Sequence, residues 1–266
     1  MKGDPLADTG EPRGYDLRVR QLKDRAVRMG EWALRMVHEG WRAYDQGNLE
    51  AAQAVLDRDT QLDQFDEEME HATIAFLVLR QPTAVDLRTA AGLLKITTHL
   101  DRIGRLGFDM ARITGSDPSG EPSELRDLLR RMDETVESMV EQSLDALNHD
   151  RAEVARMLFH RDDEVDRMHR QANQIILTDL EKDPASARRL AGDLLVARHF
   201  ERIADNACKV GEKTIYALTG QRRSEYLPRH PFRPYVMETL GKESPGPRSG
   251  KAKRADSTTP DVKNLG

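Results

Sequence analysis

The stretch His199-Phe200-Glu201-Arg202-Ile203-Ala204-Asp205-Asn206-Ala207 decides the fold, because the chain carries its opening twice. His99-Leu100-Asp101-Arg102-Ile103 matches it one hundred residues earlier, position for position in kind. Upstream of each copy lies a second matching pair: Arg58-Asp59 with Leu62-Asp63, and Arg161-Asp162 with Val165-Asp166. Self-similarity at a near-constant separation marks a duplicated structural unit. Apolar residues near the second copy step by three, four or seven rather than alternating. Val154, Leu158, Val165, Met168, Ala172 and Ile175 form one run, and Leu190, Leu194 and Ala197 with Ala204, Cys208, Gly211 and Ile215 another. That period is helical.

Breakers at Gly47-Asn48, Gln81-Pro82, 115–122, 148–150, Asp183-Pro184 and Gly220 divide the chain into six segments of roughly 30 residues, each about 45 Å long as a helix. Their ends carry suitable chemistry. Gly47 suits a left-handed helix end and Asn48 the N-cap of the next helix. Asp183 is an N-cap ahead of proline at the first helical position. The sequence therefore predicts an all-α fold of two tandem three-helix bundles, six long antiparallel helices in all. The first unit takes residues 15–117 and the second 118–221. Residues 1–14, rich in Gly and Pro, and residues 222–266, with six of the twelve prolines, are expected to be a disordered head and tail.

Composition narrows the function. The chain has 266 residues with 41 Lys/Arg against 46 Asp/Glu, a net −5. Residues 222–266 hold ten Lys/Arg and five Asp/Glu, so residues 1–221 carry −10. An acidic body argues against nucleic acid as a partner. Aromatic residues at 5% and charged residues at 33% suit helices better than sheets. One cysteine, Cys208, rules out an internal disulfide, which suits a reducing compartment. No apolar run approaches a bilayer span, the N-terminus lacks the apolar core of a signal peptide, and no phosphate-cradling glycine loop is present. A soluble, cytoplasmic protein without membrane insertion is expected.

Three pairs of carboxylates stand four residues apart: Asp59/Asp63, Asp162/Asp166 and Glu201/Asp205. That spacing puts both members on one helix face. Glu201 and Asp205 share a stripe with Leu194, Cys208 and Ile215, which is expected to face the bundle. Asp166 and Glu201 lie 18 and 17 residues from Pro184, and Asp162 and Asp205 lie 22 and 21 from it. Equal distance from an antiparallel turn means equal height, so four carboxylates form a square. About Pro82, Asp63 and Asp101 are each 19 residues away, and Asp59 and Arg105 each 23. Four uncompensated buried carboxylates would rival the ~5–15 kcal/mol that holds a domain folded. They are exposed, protonated, or gathered around a cation. Oxygen ligands favour Mg, Mn or iron, with zinc also admissible. The spacing thus points to a metal site at Asp162, Asp166, Glu201 and Asp205, with His169 as a neighbour. In the first half a guanidinium, Arg105, stands at the fourth corner and can satisfy carboxylates in the metal's place; otherwise that half binds through Asp59, Asp63 and Asp66. Cys208, His99 and His199 read as packing residues, and residues 228–235 as solvated tail.

Gln81-Pro82 followed by Asp86-Leu87-Arg88 and Leu100-Asp101-Arg102-Ile103-Gly104 resembles the first repeat of PhoU-type phosphate-signalling regulators. Phe200-Glu201-Arg202-Ile203-Ala204-Asp205-Asn206-Ala207, with Glu212 and a closing Leu218-Thr219-Gly220, resembles the second. The resemblance covers about residues 15–220. It implies tandem three-helix bundles whose E/DxxxD motifs hold multinuclear iron or zinc clusters at the surface. It also implies a cytoplasmic accessory protein, often a homodimer. Such a protein links the ATPase subunit of a phosphate ABC importer to a sensor histidine kinase, and represses starvation signalling when phosphate is plentiful. By position, Asp162, Asp166, Glu201 and Asp205 match the second motif set and Asp59, Asp63 and Asp101 the first; Arg105 replaces an expected acid. The expectation is a regulator rather than an enzyme. The alternatives are a carboxylate-bridged di-iron enzyme, for which only Glu68-x-x-His71 has the spacing, and a metal-free helical scaffold.

Overall fold

A computed structural model describes residues 17–82, 84–115 and 123–226. The expected head and the tail beyond residue 226, with its 228–235 segment, lie outside the described residues. Within these, the regular elements are α1 (Leu17–Gln46), α2 (Leu49–Leu56), α3 (Asp59–Arg80), α4 (Ala84–Arg112), α5 (Glu124–Asn148), α6 (Ala152–Lys182), α7 (Ala187–Thr219) and α8 (Arg223–Tyr226), with a 3-10 turn at Pro184–Ser186. The described chain has no strand.

The ends form for the reasons their residues supply. Gly47 is left-handed at φ 61, and the Asn48 side chain accepts the Ala51 N–H at 3.0 Å to start α2. Ser123 caps α5 by accepting the Arg126 N–H at 3.2 Å. Asp183 accepts the Ala185 N–H at 3.1 Å over the proline turn. Gly220, φ 76, ends α7. Gln81 takes a left-handed conformation at the end of α3 and hands the chain to Pro82, where a helix cannot continue.

Two boundaries differ from expectation. The second segment is not one rod: it breaks into α2 and α3 at Asp57-Arg58. There the Arg58 N–H bonds the Val55 carbonyl and the Gln61 N–H the Arg58 carbonyl, both at 3.1 Å, three-residue links that tighten the helix. The break frees Arg58 to pair with Glu39 on α1 and to lie 5.8 Å from the Trp32 ring. At the other end, the expected tail boundary at 222 comes too early. Residues 223–226 form α8, with Tyr226 6.1 Å from Phe159 on α6 and Arg156 over the Tyr226 ring.

Three-helix units are present in chain order, α1 with α2/α3 and α4, then α5 with α6 and α7. They are not separate bodies. α4 packs on α7 and α1 on α5, so four inner helices share one core while α3 and α6 flank it. Fully buried residues on α1 (Ala26, Met29, Ala33, Met36, Val37), α4 (Ile96, Leu100, Ile103), α5 (Leu129, Met132, Val136) and α7 (Phe200, Ile203, Ala207) make this core continuous. Phe200, from the repeated motif, meets Trp41 edge-on at 5.3 Å. The two copies of the motif also touch across α4 and α7: His99 Nδ1 donates to Asn206 Oδ1 at 3.0 Å, and Asn206 Nδ2 donates to the Arg202 carbonyl at 2.7 Å. Where α1 crosses α4, a Cβ on Gly107 would lie 2.4 Å from the Met36 backbone and one on Gly40 2.2 Å from the Gly107 carbonyl. Only glycine lets the two backbones come that close.

Candidate functional site

Both quartets, three acids with an arginine in the first and four acids in the second, sit on the seam between a flanking helix and an inner one. In the first, α3 supplies Asp59 and Asp63 and α4 supplies Asp101 and Arg105. Matched distances from the Gln81-Pro82 turn bring them to one level. Arg105 lies in the middle of the acids. Its Nε reaches both oxygens of Asp101 at 3.1 and 3.2 Å, its Nη1 donates to Asp59 at 3.1 Å and its Nη2 to Asp63. A planar fork with five N–H groups serves three carboxylates at once from fixed directions, a geometry that the compact ammonium of a lysine lacks. Burial raises the Asp101 carboxyl above its ordinary pKa against the pull of Arg105. Asp66, the alternative ligand, is raised by its own burial and by Asp101, Glu70 and Asp63.

In the second quartet, α6 supplies Asp162 and Asp166 and α7 supplies Glu201 and Asp205, about the Asp183-Pro184 turn. Their carboxylates lie in one another's field. Burial, then Asp166 and Asp205, push Asp162 up to about 7. Burial raises Glu201, with Arg198 opposing and Asp166 and Asp205 adding to the rise. Cations reach this group mainly from its own helices: Arg198 to Glu201 at 2.9 Å, Lys209 to Asp205 at 3.8 Å and Arg170 to Asp166 at 4.0 Å. Among the described residues no guanidinium stands between these acids as Arg105 does in the first group. Among the described residues, no three His, Cys, Asp or Glu side chains converge on a point as a bound metal requires. The two donor sets therefore differ in fit. The first already encloses a cation and does not suit a metal; the second, all oxygen with excess negative charge, has the chemistry for a hard or borderline cation.

The inward-facing stripe needs correction. Leu194 is 43% exposed and Ile215 fully buried, with Glu201 half-buried and Asp205 exposed between them. A seven-residue step drifts about 20° per repeat on a straight helix. The stripe thus starts at the surface and turns into the core, leaving the acids at the boundary. Cys208 lies behind them, buried, its thiol pushed up by that burial and by Asp162 and Asp205. His169, three residues beyond Asp166, is buried and held below its ordinary pKa by burial and Arg198. Burial also lowers His199, whose Nδ1 has no hydrogen-bond partner. The residue one hundred before Asn206 is Leu106, so His199 lacks the amide that His99 uses. Glu68 and His71 are both exposed on α3, away from the core in which di-iron carboxylate sites lie.

One polar cluster escaped the sequence reading. Arg126 of α5, 4% exposed, pairs with Asp45 of α1 at 3.0 Å and faces Asp193 of α7 at 3.7 Å. The Tyr44 hydroxyl donates to Asp193 at 3.0 Å, and Arg189 reaches the other Asp193 oxygen at 3.2 Å. This buried knot joins the halves. Its signal was the position of Asp193 between Leu190 and Ala197 on one apolar stripe.

A family model described as the PhoU domain matches residues 26–114 and again 129–214. The phosphate-specific transport system accessory protein PhoU homolog of Rhizobium meliloti is 30% identical over 216 residues, covering 81% of this chain and 91% of its own. The like-named protein of Clostridium acetobutylicum is 27% identical over 78% of this chain and 95% of its own. The crystal structure of PhoU from Pseudomonas aeruginosa superposes with a TM-score of 0.73 at 26% identity, covering 78% of this chain and all of that one. No helix among the described residues is long and apolar enough to cross a membrane.

Proposed function

The chain belongs to the PhoU family, and on that premise we propose that it regulates phosphate uptake and phosphate-starvation signalling as an accessory protein of a phosphate-specific transport system. It acts in the cytoplasm by binding rather than by catalysis. Its partners are the ATPase subunit of a phosphate ABC importer and a sensor histidine kinase, and it works as a homodimer. The relatives' names support the transport assignment, since they are accessory proteins. A cation at the second repeat, held by Asp162, Asp166, Glu201 and Asp205, fastens α6 to α7 and orders that face for a partner. Iron or zinc suits the site, and Mg or Mn is also compatible with its oxygens. When bound, the metal would supply the positive charge that four neighbouring carboxylates on α6 and α7 otherwise lack. Asp63, Asp59 and Asp101 serve Arg105 instead, so the first repeat takes no metal.

The observation that carries the metal reading is the contrast at homologous positions: Arg105 satisfies three acids, while Asp162 is driven up to about 7 by burial and like charge. The test is elemental analysis after anaerobic loading with ferrous iron and, separately, zinc. Wild type should retain metal, Asp162→Asn/Asp166→Asn should lose it and Asp59→Asn should not. Equal retention by the double variant would sink the site. For the role itself, deleting the gene should switch on a phosphate-starvation reporter in high phosphate, and the tagged chain should co-purify with an importer ATPase and a histidine kinase. A silent reporter would refute the regulatory reading.

A further inference from the structure

The exposed face of α1 is at odds with the rest of the molecule. Residues 1–221 carry −10, yet this face is lined by Arg25, Arg28, Arg35 and Arg42, all exposed. Arg28, Arg35 and Arg42 follow one another at seven-residue steps, and Arg25 precedes Trp32 by the same step. On a helix these positions form one stripe, about 26 Å long from Arg25 to Arg42 at 1.5 Å per residue. Arg35 stacks over Trp32 at 5.1 Å. Among the described residues nothing pairs with Arg25, Arg28 or Arg42. Asp24 and Glu31 stand among the arginines, four residues before Arg28 and Arg35, so the stripe is mixed in sign with the arginines in excess. Glu39 lies within it, but Arg58 takes that carboxylate, so the stripe keeps its positive charge.

Beside the stripe is a cavity of about 150 Å³ between α1 and α3, lined by Arg25, Arg28, Phe65, Glu68 and Met69. Its floor is apolar, since Met69 is buried and Phe65 half-buried. Two guanidinium groups, those of Arg25 and Arg28, line it against the single carboxylate of Glu68. The opening suits one apolar side chain flanked by carboxylates. The seven-residue repeat of the arginines matches the repeat a second helix presents when it lies along the first. The face offers no apolar patch that could enter a bilayer, because the apolar side of α1 is spent in the core.

We propose that the exposed face of α1 docks an acidic amphipathic helix of a protein partner, one with carboxylates at seven-residue intervals and an apolar side chain that enters the cavity beside Phe65. This rests on the binding role proposed above and is independent of the carboxylate seams.

The probe is a synthetic helix with Glu at every seventh position and one central Leu. Its controls are a twin with Lys for Glu, and vesicles of phosphatidylcholine with one-third phosphatidylglycerol. Titrated into the full chain and followed by tryptophan fluorescence, the Glu helix should bind, with affinity falling as salt rises. Arg28→Glu/Arg35→Glu should weaken it at least tenfold while leaving thermal unfolding and metal retention unchanged. Replacing the peptide's Leu by Ser should weaken it several-fold. Equal binding by the variant, equal binding of the Lys twin, or binding to vesicles but not to the helix would overturn the proposal. So would self-association that the double variant abolishes, with no helix binding, since the occupant would then be a second copy. If the helix fails to bind while gene deletion still switches on the starvation reporter, this face is wrong and the regulatory role stands. If deletion leaves the reporter silent, the role fails whatever the helix does.

Discussion

The two acid seams are built alike and end in opposite electrostatic states. Asp59 corresponds to Asp162, Asp63 to Asp166, Asp101 to Glu201 and Arg105 to Asp205. In the first seam one arginine contacts all three acids. In the second the fourth corner is another acid, and burial together with the like charges of Asp166 and Asp205 pushes Asp162 up to about 7. One residue thus decides whether a duplicated carboxylate seam neutralises itself or calls for a cation from outside. A guanidinium is permanent and fixed, whereas a metal bound as proposed at the second seam would be exchangeable.

The sharpest way to break this comparison is the same substitution at matched positions, with chelator present. The folded-state pKa of Asp162 lies above its unfolded value, so between about pH 4 and pH 7 the native state holds the extra proton and stability falls as pH rises. Asp162→Asn should therefore raise stability by about 2–3 kcal/mol at pH 8, after allowance for the water that reaches this half-buried group, and change little at pH 4. Asp59→Asn should instead lower it by roughly 0.5–1 kcal/mol, by removing a partner of Arg105. Urea melts at both pH values decide; the same sign at both positions would end the contrast.

Exchanging the fourth corners comes next in size. Arg105→Asp should cost about 1–2 kcal/mol without metal, because three acids lose their shared donor. Asp205→Arg should add about 1 kcal/mol by bringing the second seam to the first seam's solution. Metal response then sharpens the picture. Millimolar divalent cation should raise the wild-type Tm by a few degrees, as any ligand of the native state must. Asp205→Arg should abolish that rise and Arg105→Asp should enlarge it. A Tm indifferent to metal in all three proteins would leave only the helical scaffold. The smallest effect is that of salt. Because the Arg105 cluster is partly exposed, 0.5 M NaCl should erase most of the difference between wild type and Asp59→Asn, roughly 0.5 kcal/mol.

Much of this was legible beforehand, for identifiable reasons. Helix positions followed from the three- and four-residue steps and from caps such as Asn48 and Asp183. The level pairing of the acids needed only counting from Pro82 and Pro184, because helices leave such turns at a constant rise. Arg105 could be placed among Asp59, Asp63 and Asp101 by the same count. The break at Asp57-Arg58 was not legible, since its reward lies in Glu39 and Trp32, partners distant in sequence. Nor was the Arg126–Asp45–Asp193 knot, because ionisable residues ordinarily sit in water and only their place on an apolar stripe betrays them. The partition of the core among α1, α4, α5 and α7 also lay beyond a pattern that treats each repeat as self-contained.

The backbone contact of Gly40 with Gly107 has a mechanical consequence. With no side chain between them there, α1 and α4 approach more closely than any other residue pair would allow, and Trp41 against Phe200 joins α1 to α7. The outermost rods, α3 and α6, pack against these inner helices from either side. Arg105 ties α3 to α4 with a permanent charge, whereas the cation proposed for the second seam would be a removable tie between α6 and α7.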